Sequence, residues 1–243
     1  ALCSLLLAGL ALAAAAEPSK AAPKTLRYAF PVAETSFDPA QISDLYSRTV
    51  AAGIFDAPLE FAFMARPFRL RPNTAAAMPE VSADFRSFTI RIQPGILFDD
   101  DPAFGGKKRE LTAEDYVYSW KRVMDPRTRS NSMQMFDGRF VGMDTLVGPT
   151  REGGRFDYDK PIAGLRAVDR YTIRLELNFP DTELLANLTT TAASAVAREV
   201  IEKYADGAGW AMSKPVGTGP YRLREWRRGQ KIVLEANPGF RDE

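Results

Sequence analysis

Two stretches with different hydrophobic periods most constrain the fold of this chain. Residues 85–92 alternate apolar and polar side chains, which predicts a strand with Phe88, Ile90 and Ile92 on one face. Residues 111–126 repeat their apolar side chains at helical spacing, between helix-capping and helix-stopping residues. Because both periods occur in one chain, the sequence predicts a mixed α/β fold.

Shorter patterns predict the other elements. Alternation predicts strands over residues 26–30, 167–177 (after a turn), 221–226 and 231–235, the last two forming a hairpin. Helical spacing predicts helices over residues 42–55, 181–187 and 197–204. Ser43 is the predicted N-cap of the first of these helices. Residues 131–154 read as a loop that can hold one short helix.

The first 16 residues are apolar or small, and the first charge is Glu17. As a helix they would span about 24 Å, which is short of a hydrocarbon core of about 30 Å. Ala14 and Ala16 satisfy the small-x-small rule for a cleavage site. We therefore expect residues 1–16 to be a cleaved signal peptide, the mature protein to be periplasmic, and Cys3 to be removed with the leader.

Composition excludes several classes of function. The chain carries 32 Lys and Arg against 31 Asp and Glu, without a long basic tract, which argues against nucleic acid as a partner. It has no histidine, which excludes Ser-His-Asp catalysis and His-ligated metal sites within these residues. We expect no cofactor and no metal, and this profile favours a receptor over an enzyme.

Three local motifs have simple structural interpretations. The acidic run at residues 99–101 lacks the ligand spacing of a calcium loop and predicts a solvated loop. The glycine-containing residues 217–220 precede a predicted strand, whereas a phosphate site needs a helix N-terminus. The basic residues 107–109 predict an exposed loop.

Five sequence blocks occur in a characteristic order. They are residues 36–39, residues 88–98, residues 111–120, residues 167–172, and residues 215–221 leading to residues 232–238. This order resembles the family 5 extracellular solute-binding proteins of ABC importers. Two departures concern specificity: the loop at residues 99–110 is longer than usual, and the tryptophan expected after residues 79–82 is absent.

The resemblance implies an α/β fold of the periplasmic binding protein type (type II, two-lobed, cluster C-like). It implies that residues 17–55 and 194–243 form an incomplete lobe I and that residues 56–193 form the extra domain of the family. On this interpretation the chain is truncated, and the second lobe is missing.

The resemblance also implies a monomeric periplasmic receptor that captures a solute, often a peptide, and delivers it to ABC permease subunits in the membrane. Alignment by motif places six residues along the ligand cleft: Ser43, Asp44, Leu45, Asn131, Ser132 and Met133. For Ser43 the helix-cap interpretation remains equally open. Two alternatives also remain, namely the same scaffold binding a sugar, opine or metal chelate, and an exported hydrolase.

Overall fold

The computed structural model describes residues 24–205 and 213–241, so the predicted signal peptide at residues 1–16 lies outside the described residues. Residues 24–31 belong to a separate unit and contain no helix or strand, and in it the rings of Tyr28 and Phe30 meet edge to face. The predicted strand over residues 26–30 is therefore wrong. An alternating pattern forms a strand only where a second strand supplies backbone hydrogen bonds, and the pattern alone cannot indicate one.

The rest of the described chain is built from short helices and strands. The helices are α1 (Leu45–Ala51), α2 (Ala113–Met124), α3 (Asp144–Arg151), α4 (Leu184–Asn187) and α5 (Arg198–Tyr204). The strands are β1 (Leu59–Phe61), β2 (Leu70–Pro72), β3 (Glu80–Val81), β4 (Ser87–Arg91), β5 (Leu165–Ala167), β6 (Thr172–Glu176), β7 (Tyr221–Arg227) and β8 (Lys231–Ala236).

Four of the strands form an antiparallel sheet in the order β3-β4-β6-β5. Phe88 pairs with Leu175, and Ile90 pairs with Ile173. All four side chains are buried, together with Ile92. The predicted strands over residues 85–92 and 167–177 and their buried faces are therefore confirmed, and the mixed α/β class with them.

Helix α2 packs against this sheet and is the best-defined predicted element. The Asp115 carboxylate accepts the backbone N–H of Thr112 at 2.7 Å, which closes the N-terminal turn. The Trp120 indole donates to the carbonyl of Ala193 at 3.0 Å. The helix is buried on nearly every side, Lys121 and Arg122 included, which is more than its apolar stripe predicted.

Helix α1 corrects two predictions. It covers Leu45–Ala51 and is shorter than the predicted helix over residues 42–55. Its N-cap is Asp44, whose carboxylate accepts the backbone N–H of Ser47 at 2.8 Å, so the prediction of Ser43 as the cap is wrong. Both residue types cap helices well, and the extended backbone at Asp44 places its carboxylate over the first turn.

The glycines of residues 217–220 lie against the main chain that follows α1. An ideal Cβ on Gly217 would lie 2.0 Å from the carbonyl oxygen of Ile54. The Gly219 N–H donates to the same oxygen at 2.9 Å, and the Tyr221 N–H donates to the carbonyl of Gly53 at 2.9 Å. The motif serves a close backbone approach, which explains its glycines without a phosphate.

Neither a membrane-spanning helix nor a metal-binding cluster occurs among the described residues, 24–205 and 213–241. No helix there has the length and apolarity to cross a membrane. Within the same ranges, no cluster of three or more His, Cys, Asp or Glu residues is placed to hold a metal ion.

Candidate functional site

A buried ion pair organises the candidate site. Arg122 of α2 donates from its two terminal nitrogens to the two carboxylate oxygens of Asp38, at 3.0 and 2.7 Å. The side chains are 2% and 0% exposed, respectively. Burial lowers the pKa of Arg122, but the facing carboxylate of Asp38 outweighs burial and raises the pKa above its ordinary value, so the guanidinium stays charged.

Asp38 also shapes the turn that leads into α1. Its carboxylate accepts the backbone N–H of Ala40 at 3.1 Å. Its carbonyl accepts the N–H groups of Gln41 and Ile42 at 2.8 and 3.2 Å. The chain turns at residues 39–41, and the ion pair holds the start of this turn, from which residues 43–45 continue.

Asp44 holds the start of α1 and stays ionised. Besides its bond to the Ser47 N–H, its carboxylate accepts the hydroxyl of Thr35 at 2.5 Å. Burial raises the pKa of Asp44, but the hydrogen bonds from Ser47 and Thr35 outweigh burial and bring the pKa below its ordinary value. Asp44 is half-buried and lies between Ser43 and Leu45, which are both exposed.

The second predicted segment follows the C-terminal end of α2. The Thr128 hydroxyl donates to the carbonyl of Arg122 at 2.8 Å, which folds the chain back after the helix. The Ser132 N–H then donates to the Ser130 hydroxyl at 3.2 Å. Asn131 is exposed, whereas Ser132 and Met133 are half-buried, and Met133 packs on the core.

The Asp38–Arg122 pair is the link between the two predicted segments. Residues 43–45 follow Asp38, and residues 131–133 follow the helix that carries Arg122. Within the described part of the chain, no hydrogen bond joins the two segments directly. Arg122 was missed from the sequence, where it reads as a basic residue in the last turn of a helix.

The hairpin of β7 and β8 supports the segment before Asp44. The Trp226 indole donates to the Glu34 carboxylate, and the Gly229 N–H donates to the same carboxylate at 3.1 Å. The Arg228 guanidinium donates to the carbonyl of Thr35 at 3.0 Å. These contacts fix the backbone of residues 34–35, so that the Thr35 hydroxyl reaches the Asp44 carboxylate. The sequence alone does not indicate these contacts.

The long loop at residues 99–110 lines a separate charged groove of about 620 Å³, and none of the six predicted site residues lines it. In this groove Arg109 donates to Asp115 at 2.6 Å and to Glu199 at 2.8 Å. Its side chain is largely buried, so the prediction that the basic residues 107–109 are exposed is wrong for Arg109. Arg170 and Glu110, which also line the groove, pair with each other at 2.7 Å.

The acidic run in the same loop makes protein contacts. Asp100 pairs with Lys108 at 2.6 Å. Asp101 accepts the N–H of Ala103 at 2.7 Å and the hydroxyl of Tyr204 at 2.9 Å. These carboxylates stabilise the loop and do not converge on a common point.

Comparison with known proteins identifies the family. Residues 69–243 match the family described as bacterial extracellular solute-binding proteins, family 5 Middle. The chain belongs to this family. The family 5 protein is 27% identical to di/tripeptide-binding protein 2 of Pseudomonas aeruginosa, over 98% of this chain and 42% of that relative. It is 28% identical to the periplasmic oligopeptide-binding protein OppA of Escherichia coli, over 84% of this chain and 34% of OppA.

Solved structures agree with this assignment. DppA of Helicobacter pylori, in complex with the peptide STSA, superposes with a TM-score of 0.66 at 27% identity, over 85% of this chain and 38% of DppA. OppA of Burkholderia pseudomallei superposes with a TM-score of 0.69 at 23% identity, over 88% of this chain and 38% of OppA. The family 5 protein thus has the predicted fold of part of a two-lobed periplasmic binding protein, and it spans less than half the length of these relatives.

Proposed function

We propose that the protein is the periplasmic receptor of an ABC importer and that it captures peptides for transport across the membrane. The observation that carries this proposal is the 27% identity, over 85% of the chain, to a DppA whose structure contains the peptide STSA. The relatives named as di/tripeptide-binding and oligopeptide-binding proteins support the same ligand class.

In this proposal Ser43, Asp44 and Leu45 form one edge of the cleft. The Asp44 carboxylate accepts hydrogen bonds from Thr35 and Ser47, and the backbone of Tyr46 bonds to it as well. It stays ionised and half-exposed, and a carboxylate oxygen can accept more than one hydrogen bond. It can therefore also accept an ammonium or backbone N–H group of an extended peptide. The exposed side chain of Leu45 supplies apolar contact beside it.

Residues Asn131, Ser132 and Met133 form a second edge. The exposed amide of Asn131 can donate and accept at once, as a peptide group requires. Main-chain recognition of this kind tolerates many side chains, which suits a receptor for nutrients. The Asp38–Arg122 pair ties the turn before the first edge to the helix before the second.

The proposed cycle is binding and release without a chemical step. The protein acts as a receptor, not an enzyme, and uses neither a cofactor nor a metal. Its partners are the solute and the ABC permease subunits, and it works as a monomer without nucleic acid. Export through the leader at residues 1–16, followed by its cleavage, delivers it to the periplasm.

The alternative is the same receptor with a non-peptide solute such as a sugar, an opine or a metal chelate. One observation favours it: MoaA in complex with mannopinic acid superposes with a TM-score of 0.64 at 23% identity, which shows a common fold. The third interpretation is an exported hydrolase. It requires turnover of a substrate, so an assay for hydrolysis of peptides or glycosides distinguishes it from a receptor.

Calorimetric titration of the complete protein with short peptides tests the proposal. We expect saturable binding of peptides with a free amino terminus, and weaker binding of the same peptides after N-acetylation. Hydrolysis of peptides or glycosides that is lost on substitution of a carboxylate would contradict the receptor function.

A further inference from the structure

The hairpin of β1 and β2 exposes an unusual set of large apolar side chains. Phe63, Met64 and Phe68 are 86%, 82% and 73% exposed, and Phe61 is 51% exposed. The rings of Phe61 and Phe68 contact each other edge to face. Exposed apolar groups of this size, gathered on one element, mark an interaction surface.

The base of this hairpin is held by the rest of the structure, and the exposed apolar side chains lie at its tip. Leu59 is fully buried, and its N–H donates to the carbonyl of Leu188 at 3.3 Å. The backbone pairing continues to Phe61 and Leu70, and beyond it the Ala62 N–H donates to the carbonyl of Arg69 at 2.9 Å. The tip, residues 61–69, therefore projects from a fixed support.

The charge of the tip points to an anionic surface. Residues 61–69 contain Arg66 and Arg69 and no acidic residue, which gives the tip a charge of +2 in a chain whose net charge is +1. Arg66 lies over the ring of Phe68, 5.0 Å from its centroid. In the described part of the chain, neither Arg66 nor Arg69 forms an ion pair with a carboxylate, and Arg66 donates only to the carbonyl of Ala65 at 2.8 Å. Arg71 at the base, in contrast, pairs with Glu60 at 2.6 Å.

We propose that residues 61–69 form a membrane-surface anchor, in which Phe63 and Met64 enter the headgroup region of an anionic bilayer and Arg66 and Arg69 bind lipid phosphates. An apolar tip beside unpaired arginines complements a surface that is anionic outside and apolar below. The anchor would keep a receptor close to the membrane, and it does not depend on which solute the receptor binds.

Vesicle flotation of the complete protein tests the anchor. We expect the wild type to float with vesicles that contain phosphatidylglycerol and to float less with pure phosphatidylcholine. The double variants F63S/M64S and R66E/R69E should each lower the partition coefficient about tenfold or more. The matched controls V168S/F179S and R155E/R166E change exposed residues outside the hairpin, the second with the same change in net charge as R66E/R69E, and should leave the coefficient nearly unchanged. All variants share one N-terminus, so its contribution cancels.

A second readout reports insertion directly. The tryptophan in Met64→Trp should shift its emission to shorter wavelength with anionic vesicles, and the tryptophan in Val168→Trp should not. The proposal would be overturned if both hairpin variants floated as the wild type does. It would also be overturned if the emission wavelength of the Met64→Trp variant did not change when anionic vesicles were added. Loss of binding to the permease with retained flotation would also overturn it and would make the tip a protein-docking surface. The hairpin variants should keep full ligand affinity, which separates this test from that of the proposed function.

Discussion

Asp38 and Arg122 lie 84 residues apart in the chain and form an ion pair with two hydrogen bonds that solvent does not reach. The pair joins the turn before α1 to the last turn of α2. Each of the two predicted ligand-binding segments follows one of its partners. The pair therefore ties together the elements that lead into the two predicted segments.

Removing one partner of this pair should destabilise the protein strongly. Asp38→Ala leaves the Arg122 guanidinium buried without a counter-charge, and a change of this kind costs about 3–5 kcal/mol. Urea unfolding followed by far-UV circular dichroism measures the loss. The exposed pair of Arg91 and Glu80 supplies the control, because Arg91→Ala should move the unfolding midpoint little. Equal effects of the two variants would contradict this role of the pair.

The charge of Asp44 should matter for ligand binding more than for folding. Asn caps a helix about as well as Asp, so Asp44→Asn keeps α1 and removes the negative charge. We expect the variant to bind peptides about tenfold more weakly, near the lower end for a charged hydrogen bond. Its unfolding midpoint near neutral pH should fall only slightly, by the part of the stability that the lowered pKa of Asp44 supplies. Asp101→Asn is the matched control, because Asp101 caps a turn outside the predicted site. Equal affinity of Asp44→Asn and wild type would remove Asp44 from the site.

Gly217 should tolerate no side chain. A Cβ there meets the carbonyl oxygen of Ile54 at 2.0 Å, and main chain cannot yield as a flexible side chain can. We expect Gly217→Ala to cost about 1–3 kcal/mol or more. Gly239 is exposed, and the nearest atom to a Cβ there is the Oδ1 of Asn237 at 3.5 Å, an ordinary contact, so Gly239→Ala should change stability by less than about 1 kcal/mol. Thermal unfolding of both variants measures the two changes in stability. A Gly217→Ala variant as stable as the wild type would show that the close backbone approach does not require glycine.

Glu34 should give a pH-dependent contribution to stability. Burial raises the pKa of Glu34, but the hydrogen bonds from Trp226 and Gly229 outweigh it and lower the pKa below the ordinary value of 4.5. A lowered folded pKa stabilises the protein above the unfolded value, and this stability is lost as the pH falls through the folded pKa. The stability difference between wild type and Glu34→Gln should therefore be full near neutral pH and shrink below 4.5. A difference that is the same in acid and at neutral pH would contradict the assignment.

The sequence predicted the elements whose periodicity and end signals agree. The faces of β4 and β6, the capped start of α2 and the β7–β8 hairpin follow from local patterns. Strands β1, β2, β3 and β5 were missed because they have only two or three residues and exist through pairing with neighbours. The residues of one short segment do not show which other segment it will pair with.

The candidate site was less predictable than the fold. Arg122 looks like an ordinary basic residue at a helix end, and its partner Asp38 stands in a turn far earlier in the chain. Ser43 and Asp44 are both good caps by type, and the backbone geometry decided between them. The six cleft residues came from motif alignment, and the domain boundaries after residues 55 and 193 also stay predictions.

Native mass spectrometry of the complete protein, purified from the periplasm without denaturation, tests the central claim most directly. A peptide receptor that binds through main-chain groups should carry a ladder of short peptides, each released as a distinct mass when the complex is activated. A single non-peptide mass, the same in every preparation, would contradict peptide capture and would assign the cleft to another solute.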